Sequence, residues 1–205
     1  SCIYPKNIIN SIREENFLCG PLEETNQWYS LAKISGIKLC QAYRRQFNCD
    51  FISVMPSNLY GPGDNFNPLN SHVQAALVDR FHEAKINSFK DVKVWGSGKP
   101  LREFLYVEDL ANACIFLAEN YSSEEPINVG TGKEISIKDF ALLIKKIVGF
   151  KGKIIFDKTK PDGVYKKVLN TEKVNNLGWK PETSLESGLR KYYKWYLENI
   201  KDIRR

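Results

Sequence analysis

Tyr29 and Lys33 stand four residues apart in the stretch Thr25-Asn-Gln-Trp-Tyr-Ser-Leu-Ala-Lys33. That interval is close to one helical turn, so on a helix both side chains share a face. A phenol ordinarily gives up its proton near pH ~10, and a neighbouring ammonium favours the phenolate. The pair can therefore hand a proton to a carbonyl oxygen, or take one from an alcohol, near neutral pH. In a lysine-rich chain the same spacing also arises by chance, so its surroundings must carry the weight.

Those surroundings are elements of an α/β protein. Apolar anchors at Leu31, Ile34 and Ile37 predict a helix over about 28–47, and Ala32, Gly36 and Cys40 add a stripe of small residues. Such a stripe serves packing within the domain or a contact between subunits. Residues 1–5 read as the end of a strand stopped by Pro5, and 50–55 as a buried strand stopped by Pro56. Pro56-Ser-Asn-Leu-Tyr-Gly-Pro-Gly-Asp64 then forms a turn-rich loop at a strand's carboxyl end, where ligands of open α/β sheets gather.

Ser71, with Gln74 three residues on, predicts a capping box and a helix through Val73, Leu77 and Phe81, with His72 in its first turn. Strands follow at 92–95, 102–107, 127–129 and 153–156. Helices are predicted from 108 to about 120 (burying Leu110, Cys114 and Leu117), from a Ser136 cap to 148, and over about 184–199. In the last helix Tyr192, Trp195 and Tyr196 form a packing stripe. Strands alternating with helices predict an α/β architecture with a parallel component.

With 205 residues and 42% apolar content the chain can bury a real core, and it has no apolar run long enough for a membrane span. Its cysteines (Cys2, Cys19, Cys40, Cys49, Cys114) are odd in number and scattered, with no Cys-x-x-Cys. That argues against a disulfide framework or a metal site and suits a reducing cytoplasm. The net charge of +6 is spread along the chain, so a nucleic-acid partner is not expected. The Gly-x-Gly spacings stand alone: Gly61 and Gly63, Gly96 and Gly98, Gly130 and Gly132. No Gly-x-Gly-x-x-Gly turn for a dinucleotide pyrophosphate occurs.

Several blocks together resemble the GDP-L-fucose synthase branch of the extended short-chain dehydrogenase/reductases. They are Ser1-Cys-Ile-Tyr-Pro5, Thr25-Asn26 before Tyr29-x-x-x-Lys33, Met55-Pro-Ser-Asn-Leu-Tyr-Gly-Pro62, Asn70-Ser-His72, Val94-Trp-Gly-Ser-Gly98, Arg102-Glu-Phe104, Ile127-Asn-Val-Gly-Thr-Gly132 and Lys160-Pro-Asp-Gly163. The Tyr-x-x-x-Lys pair is common to the superfamily; Cys2 with Asn70-Ser71-His72 is the more specific part.

The resemblance implies the C-terminal part of a Rossmann-type parallel sheet plus a smaller α/β substrate-binding subdomain. Residues 1–65, with a later strand and helix from about 91–120, would be the remainder of the NADP-binding domain. Residues 66–205 would mainly bind the GDP-sugar. It also implies that the family's Gly-rich loop and catalytic serine lie before Ser1, so the chain by itself is expected to be an inactive fragment.

The implied reaction is NADP-dependent 3,5-epimerisation and 4-reduction of GDP-4-keto-6-deoxy-D-mannose. The C4 ketone acidifies the protons at C3 and C5, so a base must take each proton and an acid return one to the other face. The resemblance gives Cys2 as base and His72 as acid. A thiol keeps some thiolate at neutral pH, and a helix N-terminus eases proton release from imidazolium. Tyr29 would hydrogen-bond the C4 oxygen, with Lys33 activating it and binding the nicotinamide ribose. Ser1, Lys33, Pro56, Ser57, Asn58, Leu59 and His72 match cofactor contacts. Arg80, Trp95, Arg102 and Asp162 match GDP-sugar contacts. A homodimer is the implied assembly.

Read from the residues alone, each of these has a plainer alternative. Cys2 could be a small buried apolar residue and His72 a capping or surface histidine. Trp95 could be strand core, and Arg102 an ion-pair partner of Glu103 or Glu108. A 4-epimerase, a 4,6-dehydratase or a non-catalytic GDP-sugar-binding module are the competing readings.

Overall fold

Two short 3-10 turns (Glu14–Asn16 and Glu24–Asn26) precede the first long helix in the computed structural model, which describes residues 1–204. The elements then run α1 (Gln27–Phe47), β1 (Val54–Pro56), β2 (Asn58–Tyr60), α2 (Val73–Ile86), β3 (Asp91–Trp95), β4 (Leu101–Arg102) and β5 (Phe104–Tyr106). They continue with α3 (Val107–Asn120), β6 (Ile127–Val129), β7 (Ile135–Ser136), α4 (Ile137–Val148), β8 (Lys153–Asp157), β9 (Lys166–Lys167), α5 (Glu172–Asn176) and α6 (Leu185–Asn199). The chain folds into two compact units, each assembled from three separate stretches.

The first unit comprises Ser1–Asn58, Glu103–Glu134 and Lys166–Glu182. Its β1 and β6 run parallel, pairing Val54 with Ile127, Met55 with Asn128 and Pro56 with Val129. All of β6 is buried, as a strand covered on both faces must be. Ile3, Tyr4, Ile12, Ile34, Ile37, Met55 and Leu169 form one apolar cluster. The Tyr4 hydroxyl donates to Asn128 Oδ1 at 2.6 Å, which satisfies a buried phenol that burial keeps far above its usual titration range.

Glu103 is wholly buried. Its Oε1 accepts from the backbone N–H groups of Thr131 and of Gly132 (2.9 Å), and its Oε2 from that of Leu169 (2.7 Å). Burial still pushes this carboxyl above the usual range, against the pull of those donors.

Several expectations in this unit need correction. Leu31 is 45% exposed, because α1 buries the Ser30, Ile34, Ile37 stripe and Leu31 falls beside it. Cys114 is likewise exposed, since α3 turns Asp109, Ala113 and Leu117 inward. The strand expected over 50–55 pairs only from Val54, and Phe51 is exposed. The run expected as one strand over 102–107 breaks at Glu103 into β4 and β5. Residues 1–5 form no strand, although the Ser1 nitrogen donates to Pro56 O at 3.0 Å.

The second unit comprises Leu59–Arg102, Ile135–Tyr165 and the stretch from Thr183 on. Here β3 and β8 run parallel, from Asp91 opposite Lys153 to Trp95 opposite Asp157, and β4 and β7 run antiparallel. Along β3 the alternation puts Val92 and Val94 inside and Lys93 and Trp95 outside. Helices α2, α4 and α6 pack together. The Tyr60, Phe66, Tyr192 and Tyr196 rings fill the core, and Tyr192 and Tyr196 donate to Asp64 (3.0 Å) and Asp79 (2.8 Å).

Ser136 and Ser184 cap α4 and α6 as their sequences predict, accepting from the N–H groups of Asp139 (3.0 Å) and Ser187 (3.2 Å). The Ser71–Gln74 capping box does not form. His72 is the N-cap of α2, and Gln74 turns inward, its Nε2 donating to Leu59 O at 2.6 Å.

Candidate active site

In the first unit the Ser30 hydroxyl donates to the Cys2 carbonyl oxygen at 2.8 Å. This bond ties the thiol-bearing segment to the first turns of α1, which carries Tyr29 and Lys33. Tyr29 is 57% exposed, and Lys33 Nζ lies 5.5 Å from the centre of its ring, so the two share a face as their spacing requires. Cys2 is half-buried, and its Sγ accepts from Lys167 Nζ at 3.0 Å.

Beyond β1, Ser57 is buried and its backbone N–H donates to Val129 O at 3.0 Å. Its Oγ is buried with no partner among the described residues. Asn58 spends its side chain on the Glu103 carbonyl at 2.7 Å. A cleft in this unit, lined by Arg13, Glu14, Phe17, Gln41, Glu125 and Lys173, includes none of the expected site residues.

In the second unit Trp95 is 57% exposed, which sets aside the reading of a core tryptophan. The Arg80 guanidinium lies 5.3 Å and Lys160 Nζ 5.6 Å from its ring centre. Asp162 accepts from the Ser97 backbone N–H at 2.6 Å and from the Ser97 hydroxyl at 2.7 Å. Those bonds hold its carboxyl below the usual range. Gly96, at φ +82°, allows this closure, because a side chain there would run into Asp162.

Arg102 is half-buried and makes no ion pair with Glu103 or Glu108; its Nη1 donates to Leu101 O at 2.8 Å. Burial lowers its proton affinity, and the nearby Asp162 opposes that. His72 is exposed at the start of α2, with no side-chain bond to the helix end.

The structure thus brings together Cys2, Ser30 and the Tyr29–Lys33 helix in one unit, with Ser1, Pro56, Ser57 and Asn58 also there. Arg80 and Trp95 meet in the other unit, where Asp162, Arg102, Leu59 and His72 also lie. Sequence reasoning passed over Lys167, Lys160 and Ser97. Lys160 and Ser97 lay inside the quoted blocks, whereas nothing near Lys167 in sequence signals a thiol partner far away along the chain.

The sequence pattern of the NAD dependent epimerase/dehydratase family matches residues 1–130. GDP-L-fucose synthase 1 of Arabidopsis thaliana is 55% identical over 200 residues, covering 98% of this chain and 62% of that protein. The GDP-L-fucose synthase of Escherichia coli (strain K12) is 50% identical over 208 residues, covering 97% of this chain and 65% of that protein. The crystal structure of a GDP-L-fucose synthetase from Naegleria fowleri bound to NADP matches with a TM-score of 0.94 at 37% identity, covering 100% of this chain and 66% of that one. The chain spans 61–65% of the length of such curated relatives. The mixed α/β fold with its parallel pairs is the Rossmann-like fold of these neighbours, and the chain belongs to the NAD dependent epimerase/dehydratase family.

Proposed function

We propose that the whole protein converts GDP-4-keto-6-deoxy-D-mannose to GDP-L-fucose by 3,5-epimerisation and 4-reduction. The observation that carries this reading is the Ser30–Cys2 bond, which fastens a thiol to the helix of the Tyr29–Lys33 pair. A reductase needs only the pair; an epimerase also needs a base for carbon-bound protons.

In this reading Cys2 takes the proton from C3 or C5, and His72 returns one on the opposite face. Tyr29 holds the C4 oxygen, stabilises the enolate and later protonates the alkoxide, with the Lys33 ammonium beside it. NADPH, when bound, supplies the hydride to C4. The residues present fit its nicotinamide end: Lys33 is exposed beside Tyr29, and the orphaned Ser57 Oγ is a buried group in want of a polar partner.

For the GDP-sugar, Arg102 has no ion pair among the described residues, and its planar fork suits a diphosphate. Trp95 is exposed, and the Arg80 and Lys160 cations over its ring suit an anionic ligand. The first unit then serves mainly the cofactor and the second mainly the GDP-sugar. Two copies pairing through α1, in a reducing cytoplasm, complete the proposal.

The test uses the protein carrying the family's N-terminal segment. Solvent deuterium incorporation at C3 and C5 is followed beside NADPH oxidation. Cys2→Ser should lose exchange by orders of magnitude yet keep some direct ketone reduction, and Tyr29→Phe should slow both. Parent-rate exchange at both carbons in Cys2→Ser would return Cys2 to a packing role and sink the epimerase reading.

A further inference from the structure

Lys167 reaches Cys2 from far along the chain, and the structure builds that approach with care. It sits on β9, where its neighbour Lys166 pairs with Glu134 at 2.7 Å. Just beyond it the backbone is pinned on both sides. Val168 O accepts from the Ile12 N–H (2.8 Å), the Leu169 N–H donates to buried Glu103 Oε2 (2.7 Å), and the Asn170 N–H donates to Ile12 O (2.8 Å). Lys167 makes no ion pair with a carboxylate among the described residues; its ammonium contacts the Cys2 sulfur, at 3.0 Å. A half-buried ammonium without a carboxylate beside a thiol is arranged for a sulfur that carries negative charge.

We propose that Lys167 is the positioning residue of Cys2, holding its sulfur in place and countering its charge as a thiolate. The proposal deepens the reading of Cys2 as the epimerisation base and rests on it for its place in the reaction. When Cys2 takes a proton, the C–H bond breaks, an S–H bond forms and the electron pair moves onto the C4 oxygen as the enolate. Lys167 keeps all its protons and touches no reacting carbon. It favours the sulfur before the transfer and gives up its partner charge during it.

Alkylation by iodoacetamide reads this out without any sugar nucleotide, because the thiolate is the species that reacts. Peptide mapping resolves Cys2 from Cys19 and Cys114, which are exposed and serve as references. Lys167→Gln should slow alkylation of Cys2 at neutral pH by about tenfold, the effect of unit charges about 3 Å apart even at the dielectric of water. Lys167→Arg should restore most of the rate, and high salt should slow Cys2 in the parent more than the references. An unchanged Cys2 rate in Lys167→Gln, or a change shared by Cys19 and Cys114, overturns the proposal. A Lys167-dependent Cys2 rate in a protein that exchanges no deuterium at C3 or C5 would overturn the epimerase reading alone.

Discussion

The Ser30 hydroxyl lies 2.8 Å from the Cys2 carbonyl oxygen and donates to it. Ser30 is wholly buried, one residue past Tyr29 on the inward face of α1. One short bond therefore ties the Cys2 backbone to the helix that carries the phenol. Ser30→Ala removes the donor and leaves a carbonyl to find another partner. The expected loss of stability is about 1–2 kcal/mol by urea unfolding. In the full-length protein isotope exchange should fall together with reduction. Exchange and reduction at parent rates would mean that the tether does not set the geometry.

Glu103 supports a second prediction. Both of its oxygens accept from backbone N–H groups, that of Leu169 buried, so the Glu103→Gln amide must point a donor at a donor on one side. The expected cost is about 1–3 kcal/mol, read as a lower urea midpoint with an unchanged slope. A midpoint equal to the parent's would show that the segments of Thr131 and Leu169 hold without the carboxylate.

The Asp162 carboxyl gives the pH prediction. Its folded proton affinity is lowered, chiefly by the Ser97 backbone N–H and then by the Ser97 hydroxyl. A carboxyl lowered on folding contributes stability that is present above its ordinary value of 3.8 and is lost as the pH falls from there through its folded value. Asp162→Asn should therefore melt below the parent at neutral pH, and the gap should close on acidification through that window. A gap independent of pH would mean that the carboxylate charge plays no part in holding the loop.

How much of this was legible in the residues follows from where the physics is local. Ser136 and Ser184 cap their helices as read, and the Tyr29–Lys33 face and the Ile127–Val129 strand came through intact, because caps and periodicity act over a few residues. Ser71 failed as a cap because Gln74 found a better partner in Leu59 O, a contact set by tertiary packing. Leu31 and Cys114 have apolar side chains on the wrong side of their helices, and only the position of the core decides that. Lys167 is the extreme case: its partner is 165 residues away, and no spacing rule reaches so far.

Assembly can be tested at Gly36. It lies on the exposed side of α1, and a Cβ there would meet nothing within 4 Å in its own chain. Gly36→Leu should then strengthen the isolated helix by up to about 1 kcal/mol through propensity alone. If α1 pairs with its copy across a twofold axis, the same change should yield monomers. A dimer unchanged by sedimentation would move the interface elsewhere.

The first unit is woven from three stretches, the last of which begins only at Lys166. On the ribosome, Cys2 and Glu103 must therefore wait for most of the chain to be made before Lys167 and Leu169 arrive. Until then the unit has no way to close around its buried carboxylate, and β6 waits with its apolar face uncovered by α5. Synthesis that stalls before that point leaves a sticky, half-closed intermediate, so the yield of folded protein should depend on elongation speed and chaperone supply more than its final stability suggests.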